Sequence, residues 1–363
     1  MITANKGEWS EIYALFKLLS DGKLFGGDAN LNRIDSLVYP IIKILRHETN
    51  NLIAFQPDKD HTGFVEITNG NDTFQISVSD LNQITLFLLD ELKKKQNSTF
   101  AIPEVEQFMA RYKSTKIKAK SSIKSDIKII IYDDKIGTTP ELGFSIKSKI
   151  GKPSTLLNAG KTTNFVFEVK NLALNSQEID DFNKLEFTVP IMIGRIKHLE
   201  SLGASIEFSH MENKVFENNL ILLDSLLPQI IASALYKYYT SSLTSVKQII
   251  EEITTHNPMQ YSLHHHHPFY EYKIKKLLCE TAIGMMPATV WTGNQIDATG
   301  GYLIIKKDGD IVCYHLYHRH EFEEYLYKNT KFEAGKKAKH SYGHLFAENG
   351  KLYIALNLQI RFK

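Results

Sequence analysis

Two residues stand out as able to do chemistry together: an acid at Asp126 and a lysine at Lys147, each attached to a run of β-forming residues. Hydrolysis of a phosphodiester needs a cation to offset developing charge, a group that orients or deprotonates water, and a hold on the phosphate. Carboxylates suit Mg²⁺, a hard ion that prefers oxygen ligands in octahedral geometry. Asp126 opens the segment Asp126-Ile-Lys-Ile-Ile-Ile-Tyr132, and Lys147 closes Leu142-Gly-Phe-Ser-Ile-Lys147. Both segments read as strands from their β-branched and aromatic content. Ser145 and Lys147 are two apart and so project from one strand face. Ile146 turns to the core between them, leaving its carbonyl as a further oxygen ligand. A return through residues 133 to 141 brings Asp126 beside Lys147.

Other elements must position this pair. Lys6 to Leu19 has apolar residues at helical spacing (Trp9, Ile12, Tyr13, Leu15, Phe16, Leu19), with Gly22 and then Gly26-Gly27 expected to stop it. Leu37 to Arg46 is a short apolar run, helical or extended. Leu52 to Val78 alternates in places around the turn Asn69-Gly-Asn-Asp72, a hairpin signal. Leu81 to Lys95 returns to helical spacing and ends in lysines. Ile179 to Leu202, Asn219 to Ile253 and Tyr270 to Cys279 read as helices. A hairpin is expected at Tyr302–Lys306 and Ile311–Leu316 around Asp308-Gly309, and a last strand at Leu352–Phe362. Helices and strands are interspersed, so the fold class is mixed α/β.

Composition excludes several classes. At 363 residues with 43% apolar content, the chain can bury a large core. Its net charge of +2 is no bulk polycation, so nucleic-acid binding would need basic residues gathered on one face. One such segment precedes the candidate site: Arg111, Lys113, Lys116, Lys118, Lys120, Lys124 and Lys128, with Asp126 the single acid between them. A second runs from 335 to 344. Two cysteines, Cys279 and Cys313, build no disulfide framework. No run reaches the ~18 apolar residues of a membrane helix, and a reducing, cytoplasmic setting without membrane partners is expected. His264 to His267 are four adjacent imidazoles that cannot converge on one ion, so an exposed loop is expected there.

An acid on one strand and x-Lys on the next resembles the PD-(D/E)xK nuclease core, with Ser145 standing where that pattern has an acid. Longer blocks carry a more specific resemblance: Glu141-Leu-Gly-Phe-Ser-Ile-Lys-Ser-Lys-Ile-Gly151, Pro153-Ser-Thr-Leu-Leu-Asn-Ala159 and Thr163-Asn-Phe165. With Asn5-Lys-Gly-Glu-Trp-Ser-Glu-Ile-Tyr13, Ala298-Thr-Gly-Gly-Tyr302 and Lys351-Leu-Tyr-Ile-Ala-Leu-Asn-Leu-Gln-Ile-Arg-Phe362, they closely resemble the HpaII-type restriction endonucleases from end to end.

That resemblance implies an α+β mixed sheet on a PD-(D/E)xK core with helical and β elaborations. A nuclease core at 1–215 is expected, followed by a helical and β-rich part at 216–363 that contacts DNA. It implies a Mg²⁺-dependent type II enzyme that cuts double-stranded DNA, leaves 5′-phosphates and reads a site of the CCGG kind. Asp126 would bind metal, while Lys147 would position water or stabilise the phosphate, with Ser145 beside it. The missing carboxylate falls to Glu11, spaced from Gly7 as in the first helix of many such nucleases; Glu8 and Glu168 are the alternatives. The metal set is then Asp126, Glu11 and the Ile146 carbonyl. DNA contacts are expected from Lys124, Lys149, Ser154, Thr155, Asn158, Thr163 and Asn164, a turn and helix cap being the rival account of the polar cluster. Lys152, Arg319 and Arg361 are further candidate base readers. A homodimer on a palindromic site and a monomer both remain open, and a cognate methyltransferase is a functional companion rather than a subunit. A structure-specific nuclease and a decayed DNA-binding protein are the rival functions.

Overall fold

The computed structural model describes residues 2–48, 51–58, 62–115, 117, 125–134, 137–294, 299–315 and 318–363. Lys124, Lys116, Lys118 and Lys120 lie outside the described residues. The chain forms two compact units, Met1–Ser154 with Ile296–Tyr325, and Thr155–Gln295 with Leu326–Lys363. The boundary expected at 215 falls inside the second unit. The reason is strand pairing: Gly301–Ile305 runs parallel beside Glu141–Ser148 and draws its hairpin into the first unit, so Thr155–Gln295, the larger part of the second unit, lies in the connection between neighbouring strands.

In the first unit the described residues form a nine-stranded mixed sheet. Its order is Lys23–Gly27, Ile311–His315, Gly301–Ile305, Glu141–Ser148, Ile127–Ile131, Arg33–His47, Leu52–Gln56, Phe64–Asn69 and Asp72–Ser77. Lys23–Gly27 also pairs with the early part of Arg33–His47, so six of the strands close on themselves. Closure removes two exposed edges that would otherwise template aggregation. The Leu37–Arg46 run is thus extended. Gly26-Gly27 lies within a strand instead of ending a helix, because Leu37 packs where a side chain on Gly26 would stand. The expected hairpin is present as Phe64–Asn69 and Asp72–Ser77.

Helix α1 (Lys6–Asp21) begins with a reciprocal cap: Asn5 Oδ1 accepts from the Glu8 N–H at 3.0 Å, and Glu8 Oε2 accepts from the Asn5 N–H at 2.9 Å. It ends where Gly22 turns left-handed, at φ 64°. Trp9, Ile12, Tyr13, Phe16 and Leu19 are buried in the core it shares with the sheet and with helix α2 (Val78–Lys94). Each fully buried Ile or Phe there contributes about 1.5–3 kcal/mol.

The second unit holds a four-stranded sheet (Ser205–Met211, Asn164–Lys170, Lys351–Asn357, Leu345–Glu348) and a three-stranded one (Thr155–Leu157, Ile360–Phe362, Thr330–Phe332). The apolar runs expected as two long helices are broken. Pro190 caps Ile191–Ser201, and Pro228 lies in the first turn of Leu227–Thr240, where a missing N–H costs nothing. The strand Ser205–Met211 lies between those runs. The last expected strand divides into Lys351–Asn357 and Ile360–Phe362, which serve different sheets. Among the described residues no single helix is long and apolar enough to cross a membrane.

Candidate active site

Strand Ile127–Ile131 runs antiparallel to Glu141–Ser148, with Ile127 opposite Phe144. Asp126, one residue earlier, donates its N–H to the Phe144 carbonyl at 2.8 Å and so lies beside Ser145. Its Oδ2 accepts from the Ile146 N–H at 2.7 Å and, at a long 3.4 Å, from Ser145 Oγ. Ser145 Oγ accepts in turn from Lys147 Nζ at 3.0 Å. Asp126 and Lys147 are therefore joined through a single hydroxyl. Ile146 is 9% exposed and belongs to the core, as strand alternation requires.

Burial pushes the Asp126 carboxyl above the usual carboxylate range, although Lys147, the Ile146 N–H and Ser145 all pull it down. Burial also pushes the Lys147 ammonium below the usual lysine value, against the pull of Asp126 and Glu11. Glu11 on α1 is thus close enough to act electrostatically on Lys147, and it acts on buried Arg46 as well. Glu8 is committed to the α1 cap. Glu168 belongs to the second unit, where Lys351 Nζ lies 3.1 Å from its carboxylate.

These oxygens suit a hard divalent ion. Both hydrogen bonds to the Asp126 side chain use Oδ2, which leaves Oδ1 for a cation. Among the described residues no cluster of three or more His, Cys, Asp or Glu ligands occurs. A site with one or two carboxylates is what Mg²⁺ commonly uses, because it keeps several waters and takes phosphate oxygens from substrate.

Sequence reasoning missed the floor under Lys147. Tyr302 lies in register with Ser145 on the parallel strand Gly301–Ile305, and the Lys147 ammonium is 5.1 Å from its ring centroid. The signal was the pair of glycines before it. A Cβ on Gly300 would lie 2.6 Å from the Phe144 ring, and Gly301 has φ 97°, which L side chains rarely adopt. Thr299 Oγ1 accepts from the Gly143 N–H at 3.0 Å, fastening the same stretch to the Lys147 strand.

The remaining sequence candidates divide. Ser154 and Lys152 line a groove of about 910 Å³ that opens beside Lys147. Burial, with Lys307 nearby, pushes the Lys149 ammonium down. Thr155 and Asn158 belong to the second unit, Thr155 opposite Arg361 in a strand and Asn158 exposed beyond it. Arg361 Nη1 lies 2.7 Å from Glu333, and Arg319 Nε 2.6 Å from Glu323. Thr163 and Asn164 correct the expectation of DNA contact, being fully buried. Thr163 Oγ1 donates to the Gly160 carbonyl at 3.0 Å, and Asn164 Nδ2 donates to Glu212 at 2.7 Å and to the His340 carbonyl at 2.9 Å. Asn357 Nδ2 donates to both residues. They hold the second unit's central strands together, which is what short polar side chains in a dry turn do. His264 to His267 are exposed between two helices, as expected.

A model of the HpaII restriction endonuclease family matches residues 5–362. The type II restriction enzyme HpaII of Haemophilus parainfluenzae is 42% identical over 361 residues, covering 99% of this chain and 98% of that protein. No solved structure matches the chain.

Proposed function

The chain belongs to the HpaII restriction endonuclease family and is a type II restriction endonuclease, and we propose that it cuts double-stranded DNA at a magnesium site built on Asp126 and Lys147. The observation that carries this reading is the hydroxyl-bridged Asp126–Ser145–Lys147 chain, with Glu11 acting on the same lysine. The core is then of the PD-(D/E)xK kind, with Ser145 in the place of its second strand acid.

Asp126 and Glu11, with the Ile146 carbonyl, are the residues that would hold Mg²⁺. When bound, that ion supplies charge neutralisation at the phosphate and a more acidic water. Lys147 presents its ammonium to the attacking water or to a non-bridging phosphate oxygen, where a fixed positive charge favours the transition state over the ground state. Ser145 fixes that ammonium through its 3.0 Å hydrogen bond. Water attacks phosphorus, the P–O3′ bond breaks, and the products are a 5′-phosphate and a 3′-hydroxyl. The family match supports a short target of the CCGG kind, whose guanines call for Arg or Lys at O6 and N7.

Digestion of a fully sequenced plasmid with Mg²⁺, followed by mapping of the ends, tests the reading. Discrete fragments with 5′-phosphates are expected. Asp126→Asn and Lys147→Ala should each lower cleavage at least ~10²-fold, the scale of removing one group that stabilises the transition state, while duplex binding survives. Retained cutting by Lys147→Ala would refute the assignment.

A further inference from the structure

The chain carries 43 basic and 41 acidic residues, so its positive and negative charges nearly cancel. The groove beside Lys147 departs from that balance: Lys6, Lys93, Lys95, Lys147 and Lys152 line it, and among the described residues no Asp or Glu does. Gln96, Asn97 and Ser98, which follow α2, add polar side chains able to donate to phosphate. Lys6 is laid along Gly151, with its Cδ 3.1 Å from where a Cβ on that glycine would stand. We propose that this groove seats the DNA backbone flanking the scissile phosphate, with Lys93, Lys95 and Lys6 pairing with its phosphates. The inference rests on the endonuclease reading and extends it to residues that no strand motif identifies.

A plainer account exists for two of these lysines. Cations at a helix C-terminus are stabilised by the macrodipole, and Lys93, Lys94 and Lys95 all sit there. The geometry separates them. Lys94 pairs with Asp90 and does not line the groove, whereas Lys93 and Lys95 do. Lys95 is also 3.4 Å from Glu91, a half-exposed pair that phosphate can displace at little cost. The dipole account treats the three lysines alike. Backbone binding does not.

The test is binding of a fluorescent duplex to the full-length protein without divalent metal, over a potassium chloride series, with and without the target sequence. Each phosphate that a variant no longer neutralises should flatten the plot of log affinity against log salt by about 0.9. Lys93→Ala with Lys95→Ala is expected to flatten it by roughly twice that amount and to weaken both duplexes by the same factor. The double arginine variant should keep the wild-type slope, and so should Lys94→Ala. An unchanged slope in the double alanine variant overturns the proposal, and so does an equal flattening by Lys94→Ala. Absence of discrete cleavage by the wild-type enzyme would instead sink the endonuclease chemistry, which the slope does not measure.

Discussion

Ser145 is the residue that links the two charged groups of the site, bonding Asp126 on one side and Lys147 on the other. Its hydroxyl lowers the Asp126 pKa by hydrogen bonding, against the burial that raises it. Removing the hydroxyl leaves burial less opposed, so Asp126 takes up its proton at a higher pH than in the wild type. Ser145→Ala should therefore move the acid limb of the cleavage pH profile upward; an unmoved limb would mean that Asp126 is not the titrating group. Tyr302 acts on the other partner. Its ring under Lys147 gives a cation–π attraction of about 0.5–2 kcal/mol, so Tyr302→Leu should lower kcat several-fold while Tyr302→Phe restores it. Equal loss in both variants would assign the effect to the hydroxyl, which both lack, and remove the ring from the account. The acid, the lysine and the serine between them were legible because strand alternation ties spacing to direction. Tyr302 was not, since its place depends on a strand contributed from more than 150 residues away.

At the level of elements, local chemistry was a sufficient guide wherever neighbours in sequence set the structure. The Asn5/Glu8 cap, the apolar stripe of α1 and the turns at Asn69–Asp72 and Asp308-Gly309 are of that kind. Failures came where a polar residue had two uses. Thr163 and Asn164 follow a candidate catalytic strand and resemble base readers, yet they are buried connectors. Asn164→Ala should cost about 1–3 kcal/mol in urea unfolding, the penalty for leaving Glu212 and a backbone carbonyl without their donor. A stable variant with weakened sequence discrimination would return Asn164 to DNA reading. The long helices failed for a related reason: apolar periodicity continues through Pro190 and Pro228, but the backbone cannot.

Across the whole molecule the division into units was the least legible feature, because no flexible or compositionally distinct linker marks an insertion. Residues 155 to 295 lie in sequence between strands that are hydrogen-bonded neighbours. A linear cut through the chain cannot represent that. Charge was only half legible for the same reason. A net +2 gives no sign of polyanion binding, and only folding gathers Lys6, Lys93, Lys95, Lys147 and Lys152 around one groove.

The parallel neighbour of the Lys147 strand has a consequence during synthesis. A ribosome that has passed residue 148 has already added Glu11, Asp126 and Lys147, but Gly301–Ile305 and Ile311–His315 are not yet made. A product terminated at residue 295 therefore holds every proposed catalytic group, but its Lys147 strand has one bare edge and no ring beneath the lysine. Such a fragment should be rapidly digested by trypsin and inert toward plasmid DNA, and a protected, cutting fragment would contradict this. The Lys147 strand thus lacks both its parallel neighbour and the Tyr302 ring until residue 305 has been added.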